Sequence, residues 1–184
     1  MTTIAADTAI TPEEEGPGAR ERTYQWGSPT RLAAAAREHS GLEFLGMIGR
    51  GELPQAPAAA TTGIVPVEMG DGFAIFELEP AEWHYNPIGS VHGGILSTLA
   101  DSALGCAVHT RLPAGTGYTS LDLTVKFTRA ATTDSGLLRC VGRVLALGRR
   151  TASAEAHITD GAGRLIAHAV TTCLILSPDA PAAG

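Results

Sequence analysis

The nine residues NPIGSVHGG, Asn86 to Gly94, carry more polar equipment than a helix start requires. One side chain suffices to cap a helix, yet here an asparagine, a serine, a histidine and two adjacent glycines precede the apolar run that begins at Ile95. A helix leaves about four N–H groups without internal partners at its start, and its dipole adds roughly half a positive charge there. Gly93 and Gly94 have no Cβ, so an oxygen atom of a ligand can approach those amides closely. Such a site suits a carbonyl that becomes an oxyanion during attack, where one well-placed donor is worth about 3 kcal/mol. Asn86 and His92 then orient the ligand or hold the loop. A tight turn capped by His92 accounts for the same residues without any ligand.

A second reactive group stands further along. Asp101 is the only charged residue in ILSTLADSALGCAVHT, a segment apolar or small on nearly every side. A carboxylate in such a helix needs a partner, a raised pKa or a water-filled cavity. It reads either as a general base or nucleophile in a partly dry pocket, or as an Asp reaching to a loop donor. Nine residues separate His92 from Asp101, about 13 Å of rise and half a revolution at helical spacing. The two cannot serve one carbonyl within one chain. If both act, a second copy of the protein supplies one of them.

The elements that must hold these residues follow from periodicity. Residues 1 to 20 lack any pattern and read as a disordered tail, and 178–184 as a C-terminal tail. Within 21–55, Ser28-Pro29 and Ser40-Gly41-Leu42-Glu43 spell two helix starts, an N-terminal helical extension. PQAPAAATTG reads as a linker into the main domain, 56–177. Strands are expected at about 60–69 and 72–79, then the helix from Ile95 to about Thr110, then a strand in which Leu121, Leu123, Val125 and Phe127 alternate with polar residues. Three more follow at about 135–147, 150–159 and 164–176, with turns at Gly148-Arg149 and Asp160–Gly163. A helix apolar all round must be enclosed. The fold class is therefore α+β, an antiparallel sheet of five to six strands wrapped around one long central helix, with extra N-terminal helices.

Composition narrows the function. The chain has 184 residues, 44% of them apolar and 17% charged, with a formal net charge of −6. That balance argues against nucleic-acid binding, and no run is long enough to span a membrane. Cys106, Cys140 and Cys173 are far apart and form no C-x-x-C, and no histidine pair has metalloprotease spacing, so neither a disulfide framework nor a metal site is expected. With no basic, apolar leader at its start, the chain reads as cytoplasmic.

Taken together, N-x-x-G-x-x-H-G-G, the carboxylate at Asp101 and the strand TSLDLTVKF resemble the hotdog-fold acyl-CoA thioesterases of the PaaI (phenylacetate-degradation) type, over roughly residues 60 to 176. The resemblance implies hydrolysis of an acyl-CoA to free acid and CoA by a dimer or a dimer-of-dimers tetramer. Gly93 would polarise the thioester carbonyl, Asn86 and His92 would shape that end of the site, and Asp101 of the partner subunit would attack or activate water. Ser120 matches the position of a hydroxyl that holds the lytic water, although it lies on the polar side of its strand. Thr98 and Ser102 are weaker candidates. Arg149 and Arg150, with Lys126 and Arg129 as weaker candidates, would meet the phosphates of CoA, and Trp83, His84 and Tyr85 would line the acyl pocket. CoA is part of the substrate, so no separate cofactor is implied. A hydratase or dehydratase on the same fold, and a non-catalytic acyl-CoA-binding module, are the alternatives.

Overall fold

The computed structural model describes residue 18 and residues 20–176; the two expected tails lie almost wholly outside the described residues. In chain order the elements are α1 (Pro29–Glu38), α2 (Gly41–Gly49), α3 (Pro57–Thr62), β1 (Val65–Gly70), β2 (Phe73–Leu78), α4 (Gly93–His109), β3 (Gly117–Ser120), β4 (Thr124–Phe127), β5 (Leu138–Leu147), β6 (Thr151–Thr159) and β7 (Leu165–Leu176). The strands form one antiparallel sheet in the order β1-β2-β5-β6-β7-β3, with β4 also paired to β7. This is the expected α+β architecture, with two local differences.

The sheet has seven strands rather than five to six, because the segment 117–127 is two strands. Asp122 breaks it. Its Oδ1 accepts from the Thr172 N–H at 3.0 Å, and its carbonyl accepts from the Thr171 hydroxyl at 2.5 Å. A side chain thus takes a place in the ladder that backbone would otherwise hold. The second difference lies in the linker, where residues 57–62 are helical and the first strand starts only at Val65. Pro57 fits the first turn, the alanines that follow propagate it, and Gly63 ends it at φ +79°.

The core lies between α4 and the concave face of the sheet. Leu99, Ala100, Ala103, Leu104, Ala107 and Val108 of α4 meet Ala74 and Phe76 of β2, Cys140 of β5, and Ala154, Ala156 and Ile158 of β6. Small residues let the helix sit close. At Gly142 a Cβ would come 2.5 Å from the Ala103 carbonyl oxygen. Contrary to the expectation of full enclosure, α4 keeps one side open: His92, Gly94 and Asp101 are exposed, and Thr98 and Ser102 half-buried. Asp101 therefore does not sit in a dry interior within the single chain.

The N-terminal extension is docked on the far end of α4. The Gly41 N–H donates to the Leu112 carbonyl at 2.9 Å, and the Phe44 ring lies 5.5 Å from that of His109. A small second core of Leu32, Phe44, Leu45 and Leu53 joins the helices to Met69 and Cys106. Ser40 caps α2 by accepting from the Glu43 N–H at 3.4 Å, the half of the expected capping box that forms.

Candidate active site

The loop before α4 is built by Asn86. Its Oδ1 accepts from the backbone of Ile88 at 3.0 Å and Ser90 at 3.2 Å, while its Nδ2 donates to Ser90 Oγ at 3.0 Å. With its side chain so committed and Gly89 at φ +83°, the loop closes tightly, and Val91 pairs with Tyr85. Of the two roles open to Asn86, holding the loop is the one these bonds show. His92 is the N-cap: its Nδ1 accepts from the Gly94 N–H at 2.9 Å, which places the ring proton on Nε2. A Cβ on Gly94 would lie 2.9 Å from that Nδ1.

These bonds leave one donor over. Ile95 and Leu96 donate to the His92 carbonyl, and Gly94 to the His92 ring. Gly93 is the one first-turn amide without a hydrogen-bond partner among the described residues. Gly93 lines a cavity of about 360 Å³ together with Asn86, Phe127 and Arg129. A Cβ on Gly93 would stand 3.1 Å from Phe127 Cζ, so any larger residue here crowds that ring. The site is thus an unpaired N–H at the positive end of a 17-residue helix, with an open volume in front of it.

The second half stands about two turns further along α4, at its middle. Ser120 Oγ donates to Asp101 Oδ1 at 2.9 Å. The strand break at Asp122 shifts the register on β7 by one residue between β3 and β4, so Ser120 faces α4 although simple alternation puts it on the polar side. Asp101 has no ion-pair partner among the described residues, and it lines a separate cavity of about 250 Å³. Its neighbour Cys106 is no rival nucleophile, because burial, with a smaller push from the Asp101 charge, raises that thiol to about 12. Burial also raises Cys140 to about 12. Ser102 and Thr98 spend their hydroxyls on helix carbonyls one turn back, at 2.8 Å and 2.9 Å.

The fold therefore gathers Asn86, His92 and Gly93 at the start of α4 and Asp101 with Ser120 at its middle. Eight residues of helix separate Gly93 from Asp101, about 12 Å along the axis. No single carbonyl can touch both in one chain.

The basic candidates divide in the same way. Ladder register runs Ser120↔Cys173↔Ala152↔Leu147, so the turn carrying Arg149 and Arg150 lies at the Ser120 end. Lys126 is not brought to the Gly93 cavity; it pairs with His168 on the face of the sheet turned away from α4. Arg129, three residues on, lines that cavity instead. Of the aromatic candidates, His84 is buried, accepting from the Ala81 N–H at 3.0 Å and lying 2.8 Å from the Thr62 carbonyl. Tyr85 bonds Thr133 and Trp83 is 60% exposed, so these residues fix the loop rather than line either cavity.

One cluster had no signal in local spacing. Glu155, His157 and His168 bring potential ligand atoms within 4.8 Å of one another on the outer sheet face. Their separation in the chain hid them, since cross-strand register between β6 and β7 assembles them. They lie away from both halves of the site on α4.

Comparison with known proteins places this geometry. Residues 88–167 match the family model of the thioesterase superfamily. A conserved protein of Pseudomonas aeruginosa is 32% identical over 66% of this chain and 95% of its own, with a TM-score of 0.63. A phenylacetic acid degradation-related protein of Ralstonia eutropha is 29% identical over 70% of this chain and 97% of its own, with a TM-score of 0.64. A hypothetical thioesterase of Streptococcus pneumoniae, solved with coenzyme A, is 25% identical over 62% of this chain and 89% of its own, with a TM-score of 0.57. The helix start with its unpaired amide, Asp101, Ser120 and strands β3 to β6 lie within the matched region, and the chain is a member of the thioesterase superfamily with the hotdog fold of the PaaI type.

Proposed function

We propose that the protein hydrolyses an acyl-CoA thioester to free acid and CoA, in a site shared by two copies of the chain. The observation that carries this reading is the unpaired Gly93 amide at one end of α4, with the Asp101–Ser120 pair about two turns away on the same helix. In a two-fold dimer, the helix start of one subunit meets Asp101 of the other. The free edge formed by β3 and β4, where Leu121 and Phe127 are more than half exposed, is the surface that brings the two together.

The chemistry needs little more. Gly93 N–H holds the thioester oxygen as it gains charge, a role that strengthens as the carbonyl becomes tetrahedral. Asp101 either attacks the acyl carbon, giving a mixed anhydride that water then hydrolyses to the free acid, or takes a proton from a water that attacks directly, and Ser120, already bonded to that carboxylate, holds the carboxylate or the water in line. When the tetrahedral centre collapses, the C–S bond breaks and CoA leaves as its thiolate, which needs no strong acid. His92 and Asn86 keep the amide in place. Arg129 beside the Gly93 cavity, together with Arg149 and Arg150 of the other subunit, meets the phosphates of CoA. Likeness to a thioesterase solved with coenzyme A supports that choice of substrate. The reading includes a dimer or a dimer-based tetramer and a cytoplasmic location. Among the described residues no helix is long and apolar enough to cross a membrane.

Release of free thiol from a panel of acyl-CoA esters tests the reaction. We expect Asp101→Asn to lower kcat by roughly 10²-fold or more, the scale of a lost general base. An inactive Asp101→Ala protein mixed with an inactive Gly93→Trp protein should regain activity, because mixed dimers hold one intact site. Confirmed mixed dimers without activity would refute the shared site, and a wild-type protein that releases no thiol from any ester would refute the reaction.

A further inference from the structure

The N-terminal extension lies outside the residues that match the family model, yet it builds a wall of the cavity beside Asp101. That cavity, about 250 Å³, has Leu45 and Ile48 of α2 and Ala59 of α3 on one side, and Met69 and Phe76 of the sheet on the other. Asp101 is the only charged residue among those lining it. The wall is rigid because the extension is anchored: Gly41 is so close to α4 that a Cβ there would fall 1.8 Å from the His109 carbonyl oxygen.

We propose that this cavity receives the acyl group and that α2 and α3 set which acyl groups fit, with Ile48 as the gauge. The proposal rests on the thioesterase reading above. Its chemistry selects a class. Apolar walls reward an uncharged hydrocarbon chain by about 0.8 kcal/mol for each buried methylene. An acyl chain ending in a second carboxylate finds no cation to pair with, and meets the negative charge of Asp101. The substrates are therefore acyl-CoAs with an apolar acyl group larger than acetyl, and ω-carboxylated acyl-CoAs are excluded.

Binding of non-hydrolysable S-alkyl-CoA thioethers, measured by titration calorimetry on the full-length protein, tests this without relying on turnover. Wild type should bind S-octyl-CoA at least roughly tenfold tighter than S-ethyl-CoA, and tighter than its ω-carboxylated counterpart by a similar factor. Ile48→Trp should erase the preference for octyl by weakening octyl binding at least roughly tenfold more than ethyl binding, and Ile48→Ala should move the optimum to a longer chain. Ala59→Leu repeats the filling test from the other helix should Ile48→Trp prove unstable. Equal losses for ethyl and octyl, no change in either, or equal binding of the ω-carboxylated chain would overturn the proposal. The two readings fail separately. Chain-length selection that responds to Ile48 without any hydrolysis removes the enzyme and keeps the cavity, whereas hydrolysis with selection indifferent to Ile48 and Ala59 does the reverse.

Discussion

Gly93 combines two things at its position, and the second of them only glycine supplies. Its amide is left over after His92 has capped the helix, and its missing side chain keeps the Phe127 ring from being pushed into the space in front. Gly93→Ala keeps the N–H but brings a methyl group to 3.1 Å from Phe127 Cζ. We expect that variant to lose roughly 10- to 100-fold in kcat/KM, the order of a misplaced oxyanion donor. Gly93→Ala with Phe127→Ala should recover much of it in the same thiol-release assay; no recovery would mean that the methyl group blocks the substrate itself. At this scale the sequence was informative where chemistry is local. The spacing of Asn86, His92 and the two glycines was enough to expect a specialised helix start, because capping involves neighbours in the chain. It left open whether Asn86 holds the loop or the ligand, since that depends on bonds to Ile88 and Ser90 that only a closed turn makes. The face shown by Ser120 was misleading for a different reason: alternation assumes an unbroken strand, and Asp122 interrupts it.

Among the elements, α1 to α3 change most between the reading of the sequence and the fold. Two helix starts were legible from Ser28-Pro29 and Ser40–Glu43, but the docking of those helices was not, because it depends on a glycine whose importance is tertiary. Gly41 carries no positive φ and sits at the first position of α2, where alanine is ordinarily the better residue. Here Gly41→Ala puts a methyl group into the backbone of α4, and a clash with backbone cannot be relieved by a rotamer. A loss of about 2–4 kcal/mol, read as a lower midpoint in urea unfolding, is expected in place of the gain that helix propensity alone predicts. Any gain in stability would show that the extension is not seated on the His109 end of α4. The linker became α3 for a local reason instead: Pro57 and the alanines permit a helix and Gly63 ends it, with none of its residues buried.

For the molecule as a whole, two buried imidazoles link folding to acidity. His84 and His109 are 2% and 9% exposed, and burial holds both below the ordinary histidine value. A group harder to protonate in the folded chain than in the unfolded one binds fewer protons when folded, so stability rises with pH across its titration. The protein should therefore be at full stability above about pH 6.5, the unfolded histidine value, and lose it progressively as pH falls below. Urea midpoints at pH 7.5 and 5.5 measure the slope, and His109→Phe should flatten it; an unchanged slope would assign the acid sensitivity elsewhere. The overall plan, one helix held in an antiparallel sheet, was legible because periodicity reports burial. The open side of α4, carrying His92, Thr98, Asp101 and Ser102, was not, since these few polar residues are scattered through a run otherwise apolar or small. That open side has a consequence for how the chain can vary. With the helix start and Asp101 on one rigid rod, the number of residues between them is a gauge of both distance and angle. Removing one residue shortens the axial separation by about 1.5 Å and turns the carboxylate by about 100°, toward the side that Ala100 buries completely. The turn at Asp160–Gly163, which carries no residue of the site, can gain or lose residues without disturbing either half, but the interval from Gly93 to Asp101 has only one workable length.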